Sequence, residues 1–171
     1  MGKGYIHVYT GNGKGKTTAA LGISLRAICS GKKVYFAQFV KGMKYSELKA
    51  PQYLPNFVIQ QLGSDHFIKN NPNEEDKRVA LEGLEKIGNI LKSDMYDMVV
   101  LDEINIALYY NLFDIDSVIE LLKNRNPQIE VIITGRYAQA KIIEIADLVT
   151  EMKEIKHYYN IGVPARVGIE K

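Results

Sequence analysis

The sequence has one cysteine, no tryptophan and three histidines among its 171 residues. A lone cysteine excludes a disulfide framework and a cysteine-based zinc site. No stretch approaches the roughly 18 consecutive apolar residues of a transmembrane helix, and the apolar part of the start is too short for a secretory signal. The net charge of +2 does not indicate a general nucleic-acid surface, which needs clustered basic residues. These absences favour a reduced, cytoplasmic protein with no membrane segment and no nucleic-acid partner.

What is present is the composition of an ordinary globular protein, with 46% hydrophobic and 25% charged residues. The length fits one domain, which we expect to span residues 1–171. Six apolar runs rich in β-branched residues predict strands, and they cover residues 5–10, 33–40, 57–62, 97–103, 130–135 and 147–152. Several are apolar at successive positions, as in strands buried on both faces of a parallel sheet. Helical spacing between the runs, with Asn73 and Asp114 as caps, predicts an α/β protein.

The segment TGNGKGKTT, residues 10–18, lies between the first run and an amphipathic helical pattern. This order predicts a phosphate-binding loop, in which backbone N–H groups and the helix N-terminus hold phosphates. We expect Lys16 to neutralise phosphate charge and the Thr17 hydroxyl to bind Mg²⁺. The strict pattern has glycine where this chain has Thr10, and a hairpin turn at Asn12-Gly13 is the alternative. The predicted nucleotide-binding residues of the loop are Gly11, Asn12, Gly13, Lys14, Gly15, Lys16, Thr17 and Thr18.

An acidic pair, Asp102-Glu103, ends the apolar run YDMVVLDE. In phosphate-loop proteins an acid at the end of a buried strand holds Mg²⁺, directly or through water. We therefore assign Thr17, Asp102 and Glu103 to a site for Mg²⁺ or Mn²⁺, and the alternative is an acidic strand end that only caps the next segment. Two strand runs lie between the loop and this pair, which favours a RecA-like sheet with a strand between the two motifs.

Polar side chains follow other strand runs as well, and ligands of parallel sheets bind at the carboxyl ends of the strands. Gln38 lies near the end of the second run and Lys41 directly after it, and Arg136 follows the fifth run. We expect all three to point into one crevice. Arg136 is either a second clamp on phosphate oxygens or a surface ion-pair residue. His157, beside Lys156, is either a site residue or a structural histidine.

Seven motifs in order resemble one known family. They are TGNGKGKTTAALG, RA-x-x-x-GKKV, QFVKG, VVLDEINIAL, TGR, ADLVTEM and KHYYNIGVPARVGIE. Together they are similar to the ATP:corrinoid adenosyltransferases, from about residue 5 to residue 170. The resemblance implies a three-layer αβα, P-loop NTPase-like (RecA-like) fold with a mainly parallel central sheet.

The resemblance also implies an activity. In that family Co(I) of a reduced corrinoid attacks C5′ of ATP and triphosphate leaves, in cobalamin biosynthesis or salvage. The acceptor would be cobalamin, cobinamide or cobyrinic acid a,c-diamide. Lys16, Thr17 and Glu103 would then be the catalytic residues, and they would stabilise the leaving triphosphate together with Mg²⁺. ATP is the implied co-substrate, with no bound zinc or flavin.

Corrinoid contacts are implied by the same resemblance. Family members carry a Phe-x-Trp pair that covers the lower face of the corrin, whereas this chain has Phe67 and then Lys69. Phe67 would act alone or with His66. The predicted corrinoid-binding residues are Gln38, Lys41, Phe67, Lys69 and His157.

The partners implied are a second copy of the chain, in a homodimer, and an electron donor for which a flavoprotein is one candidate. Two other functions compete with adenosyl transfer. One is a phosphate-loop ATPase or kinase with another acceptor. The other is an ATP-dependent corrinoid carrier, which the replacement of the tryptophan by Lys69 keeps open.

Overall fold

The structure is a computed structural model that describes residues 2–64 and 71–171. Its strands are β1 (Ile6–Thr10), β2 (Val34–Gln38), β3 (Phe57–Gln61), β4 (Met98–Asp102), β5 (Glu130–Thr134) and β6 (Leu148–Glu151). Its helices are α1 (Lys16–Cys29), α2 (Glu74–Lys92), α3 (Ile104–Tyr109), α4 (Ile115–Lys123) and α5 (Ala140–Ile145). Two short 3₁₀ segments cover Ser46–Gln52 and Tyr158–Ile161. All six predicted strands are confirmed.

The six strands form one parallel sheet in the order β3-β2-β4-β5-β1-β6. Strand β5 therefore lies between β1, which leads into the phosphate loop, and β4, which carries the acidic pair. This confirms the predicted strand between the two motifs. The carboxyl ends of β2, β4, β5 and β1 are consecutive along one edge, so residues far apart in sequence meet there.

Successive residues of the central strands face opposite sides of the sheet, and both sides are buried. Val34 and Phe36 pack in the core beneath α1. Tyr35 and Ala37, which alternate with them, pack in the larger core that includes residues of α2, α3, α4 and α5. Helices thus cover both faces, and the predicted three-layer α/β fold is confirmed. Burial on both faces explains why the strands are continuous apolar runs in the sequence.

Helix α2 begins after Asn73, the predicted cap, which forms a capping box with Asp76. The Asn73 side chain accepts from the Asp76 N–H at 2.9 Å, and the Asp76 carboxylate accepts from the Asn73 N–H at 2.9 Å. The prediction for Asp114 is wrong in one respect. Asp114 precedes α4, but within the part of the chain that the structure describes its side chain accepts no capping hydrogen bond.

Across residues 2–64 and 71–171, no helix combines the length and the apolar character needed to cross a bilayer.

Candidate functional site

The phosphate loop, residues 10–18, joins β1 to α1 through two glycines in the left-handed region. Gly11 has φ of 94° and Gly15, the residue before α1, has φ of 117°. Such values are readily adopted only by glycine. Lys16 is the first residue of α1 and is 7% exposed. Its ammonium folds back into the loop and donates to the carbonyl oxygens of Gly11 (2.9 Å) and Gly13 (2.7 Å).

Burial is the main influence on Lys16. It lowers the pKa of the ammonium below its ordinary value, although the Glu103 and Asp102 carboxylates act in the opposite direction. Both carboxylates lie beside the phosphate loop. The loop therefore holds a poorly solvated cation at the helix N-terminus, an arrangement that attracts phosphate.

Two loop glycines have a second reason to be glycine, for which the sequence holds no local signal. The Gly13 N–H donates to the Met152 carbonyl oxygen at 2.7 Å, and the Met152 N–H donates to the Thr10 carbonyl at 2.8 Å. A Cβ atom would lie 2.4 Å from the Met152 oxygen at Gly11 and 2.8 Å from it at Gly13. The loop is therefore pressed against the chain that leaves β6, and no side chain fits between them.

The acidic pair lies directly beside the loop. Asp102 is fully buried, and its Oδ1 atom accepts from the hydroxyls of Thr17 (2.9 Å) and Thr134 (2.7 Å). Thr134 also accepts from the Glu103 N–H at 2.9 Å. Burial first, and then the Asp102 carboxylate, raise the pKa of Glu103 above its ordinary value. Thr134 was not predicted; its place at the end of β5, next to β4, is the signal that could have identified it.

A cation already lies at this cluster. The Lys41 ammonium is 2.7 Å from Asp102 Oδ2 and 3.2 Å from Thr17 Oγ1. Burial lowers the pKa of Lys41, but the carboxylates of Asp102, Glu103 and Glu47 together outweigh this effect and the pKa is raised above its ordinary value. The oxygens of Thr17, Asp102 and Glu103 are the kind of donors that Mg²⁺ prefers. Because a positive group is stabilised between the first two, these residues fit a divalent cation.

A cleft of about 790 Å³ opens above the loop and the acidic pair. Its wall includes parts of the phosphate loop, the ends of β2, β4 and β5, the helix α3 and the last residues of the chain. Three wall residues are left-handed although they are not glycine: Val40 (φ 57°), Glu103 (φ 61°) and Tyr137 (φ 61°). They follow three neighbouring strands. Strained backbone of this kind is concentrated at functional sites.

Aromatic rings surround the mouth of this cleft. Tyr45, Tyr110 and Tyr137 all line it. The Tyr137 ring is half-exposed and stacks on Tyr109, with centroids 4.5 Å apart. The mouth therefore offers flat apolar surface with hydroxyl groups at its edges, which suits a planar ligand with polar substituents.

The C-terminal segment, residues 152–171, forms one side of the mouth. The Lys14 ammonium donates to Glu170 Oε1 and to the Tyr158 hydroxyl, both at 2.5 Å. The Tyr158 hydroxyl in turn donates to Glu170. The segment is thus tied to the phosphate loop by a lysine that the sequence places among the nucleotide-binding residues.

The remaining predicted site residues lie at different depths. Arg136 and His157 line the cleft, and the His157 Nδ1 atom accepts from the Tyr159 N–H at 3.0 Å. Gln38 is fully buried and donates to Glu47, a wall residue, at 3.0 Å, so it lies behind the wall rather than in it.

Three of the predicted corrinoid-binding residues remain: Lys41, Phe67 and Lys69. The ammonium of Lys41 faces Asp102, a geometry that does not favour its predicted contact with the corrinoid. Phe67 and Lys69 lie outside the described residues. Their contact with the corrinoid stays a prediction.

Comparison with known proteins finds one family over nearly the whole chain. The family model described as ATP:corrinoid adenosyltransferase BtuR/CobO/CobP matches residues 2–170. A corrinoid adenosyltransferase of Escherichia coli K12 is 38% identical over 169 residues, which cover 98% of this chain and 86% of that protein. One from a Sinorhizobium species is 38% identical over 98% of this chain and 80% of its own length.

A solved structure is similar in fold. The RadB recombinase superposes with a TM-score of 0.53 and 17% sequence identity, covering 91% of this chain and 77% of the recombinase. At that sequence identity the similarity concerns the fold alone. The shared fold is the RecA-like, P-loop α/β fold.

Proposed function

Because the chain belongs to the ATP:corrinoid adenosyltransferase family, we propose that it transfers the 5′-deoxyadenosyl group of ATP to Co(I) of a reduced corrinoid and releases triphosphate. The electron pair of Co(I) forms the cobalt–carbon bond to C5′, and cobalt is thereby oxidised to Co(III). The C5′–oxygen bond breaks, and its electron pair leaves with triphosphate. Atoms and electrons balance without a proton transfer, so no general base is required.

The observation that supports this proposal is that the Lys16 ammonium lies within the loop while the next residue, Thr17, donates its hydroxyl to Asp102. Negative charge develops on the oxygen that leaves C5′, and preorganised donors aimed at developing charge lower the barrier. The Lys16 ammonium and the loop N–H groups other than that of Gly13, which is bonded to Met152, would be such donors. Mg²⁺, held by Thr17, Asp102 and Glu103, would supply further positive charge to the phosphates.

The acceptor is expected at the cleft mouth, because the phosphate end of ATP lies at the floor. The tyrosine rings of the mouth would contact the face and the amide substituents of the corrin. Gln38 would act through Glu47, and His157, Phe67 and Lys69 would contact the corrinoid directly. The acceptor would be cobalamin, cobinamide or cobyrinic acid a,c-diamide, in cobalamin biosynthesis or salvage.

The wider assembly follows from the family expectation. We propose one domain spanning residues 1–171, a homodimer in the cytoplasm, and electrons delivered by a partner flavoprotein. Light scattering of the purified chain tests the dimer.

The experiment is anaerobic and uses the whole chain, Mg-ATP and chemically reduced cobalamin. Formation of a light-sensitive cobalt–carbon product is the expected result. Lys16→Ala should lower the rate at least a hundredfold, because one preorganised donor is worth 10²–10³ in such sites. Lys32→Ala, an exposed lysine that does not line the cleft, is the control. Full activity of Lys16→Ala would contradict the assignment of that lysine.

A further inference from the structure

The Lys41 ammonium lies where a divalent cation is expected. It is 2.7 Å from Asp102 Oδ2 and 3.2 Å from Thr17 Oγ1. The Lys41 side chain is 13% exposed and the Asp102 side chain is fully buried, so this is an ion pair of the interior. The same two oxygen-bearing residues were assigned to the metal. An ammonium and a divalent cation cannot both occupy that position, because they repel each other and need the same oxygens.

The Lys41 side chain can also reach the phosphate end of the cleft. It lines the cleft together with Lys16 and Thr17, and its ammonium is already within 3.2 Å of the Thr17 hydroxyl. A lysine stem is flexible and presents its charge as a point donor, which suits phosphate. The Lys41 ammonium also lies over the Tyr45 ring, with its Nζ atom 5.3 Å from the ring centroid. The phosphates of a bound nucleotide would therefore lie close to the freed ammonium.

We propose that Lys41 occupies the cation position in the nucleotide-free protein and swings onto the phosphates when the metal–ATP complex binds. This inference rests on the proposed function, because it makes Lys41 a further contact of the leaving triphosphate. In the nucleotide-free state the lysine neutralises buried Asp102. In the loaded state the metal takes over that task, and the lysine adds its charge to that of Lys16.

The first test measures metal binding alone, with no nucleotide, corrinoid or turnover. Mn²⁺ is titrated into the protein and free Mn²⁺ is followed by electron paramagnetic resonance. Lys41→Met should bind Mn²⁺ at least tenfold more tightly than wild type, because the competing ammonium is gone. Lys41→Arg should bind it several-fold more weakly, because a guanidinium holds a carboxylate in a two-pronged geometry. Lys44→Met, an exposed lysine on the same loop, should match wild type.

The second test measures inorganic triphosphate binding in the presence of saturating Mn²⁺. Lys41→Met should lose at least tenfold in affinity, and Lys44→Met should lose none. Unchanged Mn²⁺ affinity in Lys41→Met would overturn the cation-position part of the proposal, and unchanged triphosphate affinity would overturn the phosphate contact. If Lys41→Met fails to fold, Lys41→Arg decides the first part, since equal Mn²⁺ affinity to wild type would contradict it.

These readouts separate the inference from the reaction. If the protein forms no cobalt–carbon bond but Lys41→Met changes both the Mn²⁺ and the triphosphate affinity, the proposed function is contradicted and the lysine exchange is supported. A protein that transfers adenosyl groups with neither shift would do the reverse.

Discussion

Gly13→Ala tests whether the phosphate loop is built around the chain that leaves β6. The new Cβ would lie 2.8 Å from the Met152 carbonyl oxygen and 2.9 Å from the Lys153 carbonyl carbon and oxygen. These are backbone atoms, so no side-chain rotation relieves the overlap, and the two chains must separate. Separation breaks the 2.7 Å hydrogen bond from Gly13 to Met152.

The expected loss of stability combines two effects. The broken hydrogen bond costs about 1 kcal/mol, and the overlap costs a further ~2 kcal/mol. A loss of about 3 kcal/mol should lower the melting temperature by roughly 9 °C in a chain of this size. Differential scanning calorimetry without nucleotide is the assay, so that effects on phosphate binding do not enter.

Gly22→Ala is the matched control, because the substitution is the same and the surroundings differ. Gly22 lies within α1, and a Cβ there would meet nothing within 4 Å. Replacing glycine by alanine inside a helix should add about 1 kcal/mol, and so raise the melting temperature by roughly 3 °C. A Gly13→Ala protein that melts with wild type would refute the close approach of Met152 and leave phosphate binding as the sole reason for that glycine.

Three other substitutions test separate parts of the structure. Asn73→Ala removes half of the capping box of α2 and should cost about 1 kcal/mol in urea unfolding; no change would mean that the cap contributes nothing. Asp102→Asn leaves the buried Lys41 ammonium without its counter-charge and should cost about 3 kcal/mol, whereas wild-type stability would contradict the ion pair. Glu170→Gln should speed tryptic cleavage after Arg166, because the Glu170 carboxylate ties that segment down. Arg166 is the main group holding the pKa of Glu170 far below its ordinary value, so this stabilisation is complete above the unfolded carboxyl pKa of about 4.3 and is lost as the pH falls from there towards the folded pKa. The difference in cleavage between wild type and Glu170→Gln should therefore be constant over the neutral and alkaline range in which trypsin works, and a difference that shrinks within that range would argue against it.

Elements with strong local signals were predictable from the sequence. The central strands β2, β4 and β5 were found because burial on both faces leaves continuous apolar runs. The edge strand β6 is exposed along its length, and it was found from its apolar and β-branched residues. Helix α2 was found because Asn73 and the acids after it mark its start. Helices α3 and α5 were missed; each has six residues, too few for a helical period to show. Asp114 has the residue type of a cap, but the hydrogen bond depends on how the turn is oriented.

The site was predictable where its residues belong to a motif. The phosphate loop and the acidic pair were expected to meet, and the Thr17 hydroxyl does contact Asp102. The contacts that were missed join residues without a motif between them. Lys41 on Asp102 and Met152 on Gly13 depend on how strand ends pack across the sheet edge. A left-handed tyrosine at position 137 is a tertiary outcome that no local propensity favours.

The central claim is that C5′ of ATP, and not a phosphorus atom, is attacked. The most direct measurement uses ATP that carries one radiolabel in the adenine ring and another in the γ-phosphate, with chemically reduced cobalamin under anaerobic conditions. The account predicts the adenine label on the corrinoid and an equal molar amount of labelled triphosphate. Labelled inorganic phosphate with ADP, and no label on the corrinoid, would contradict it.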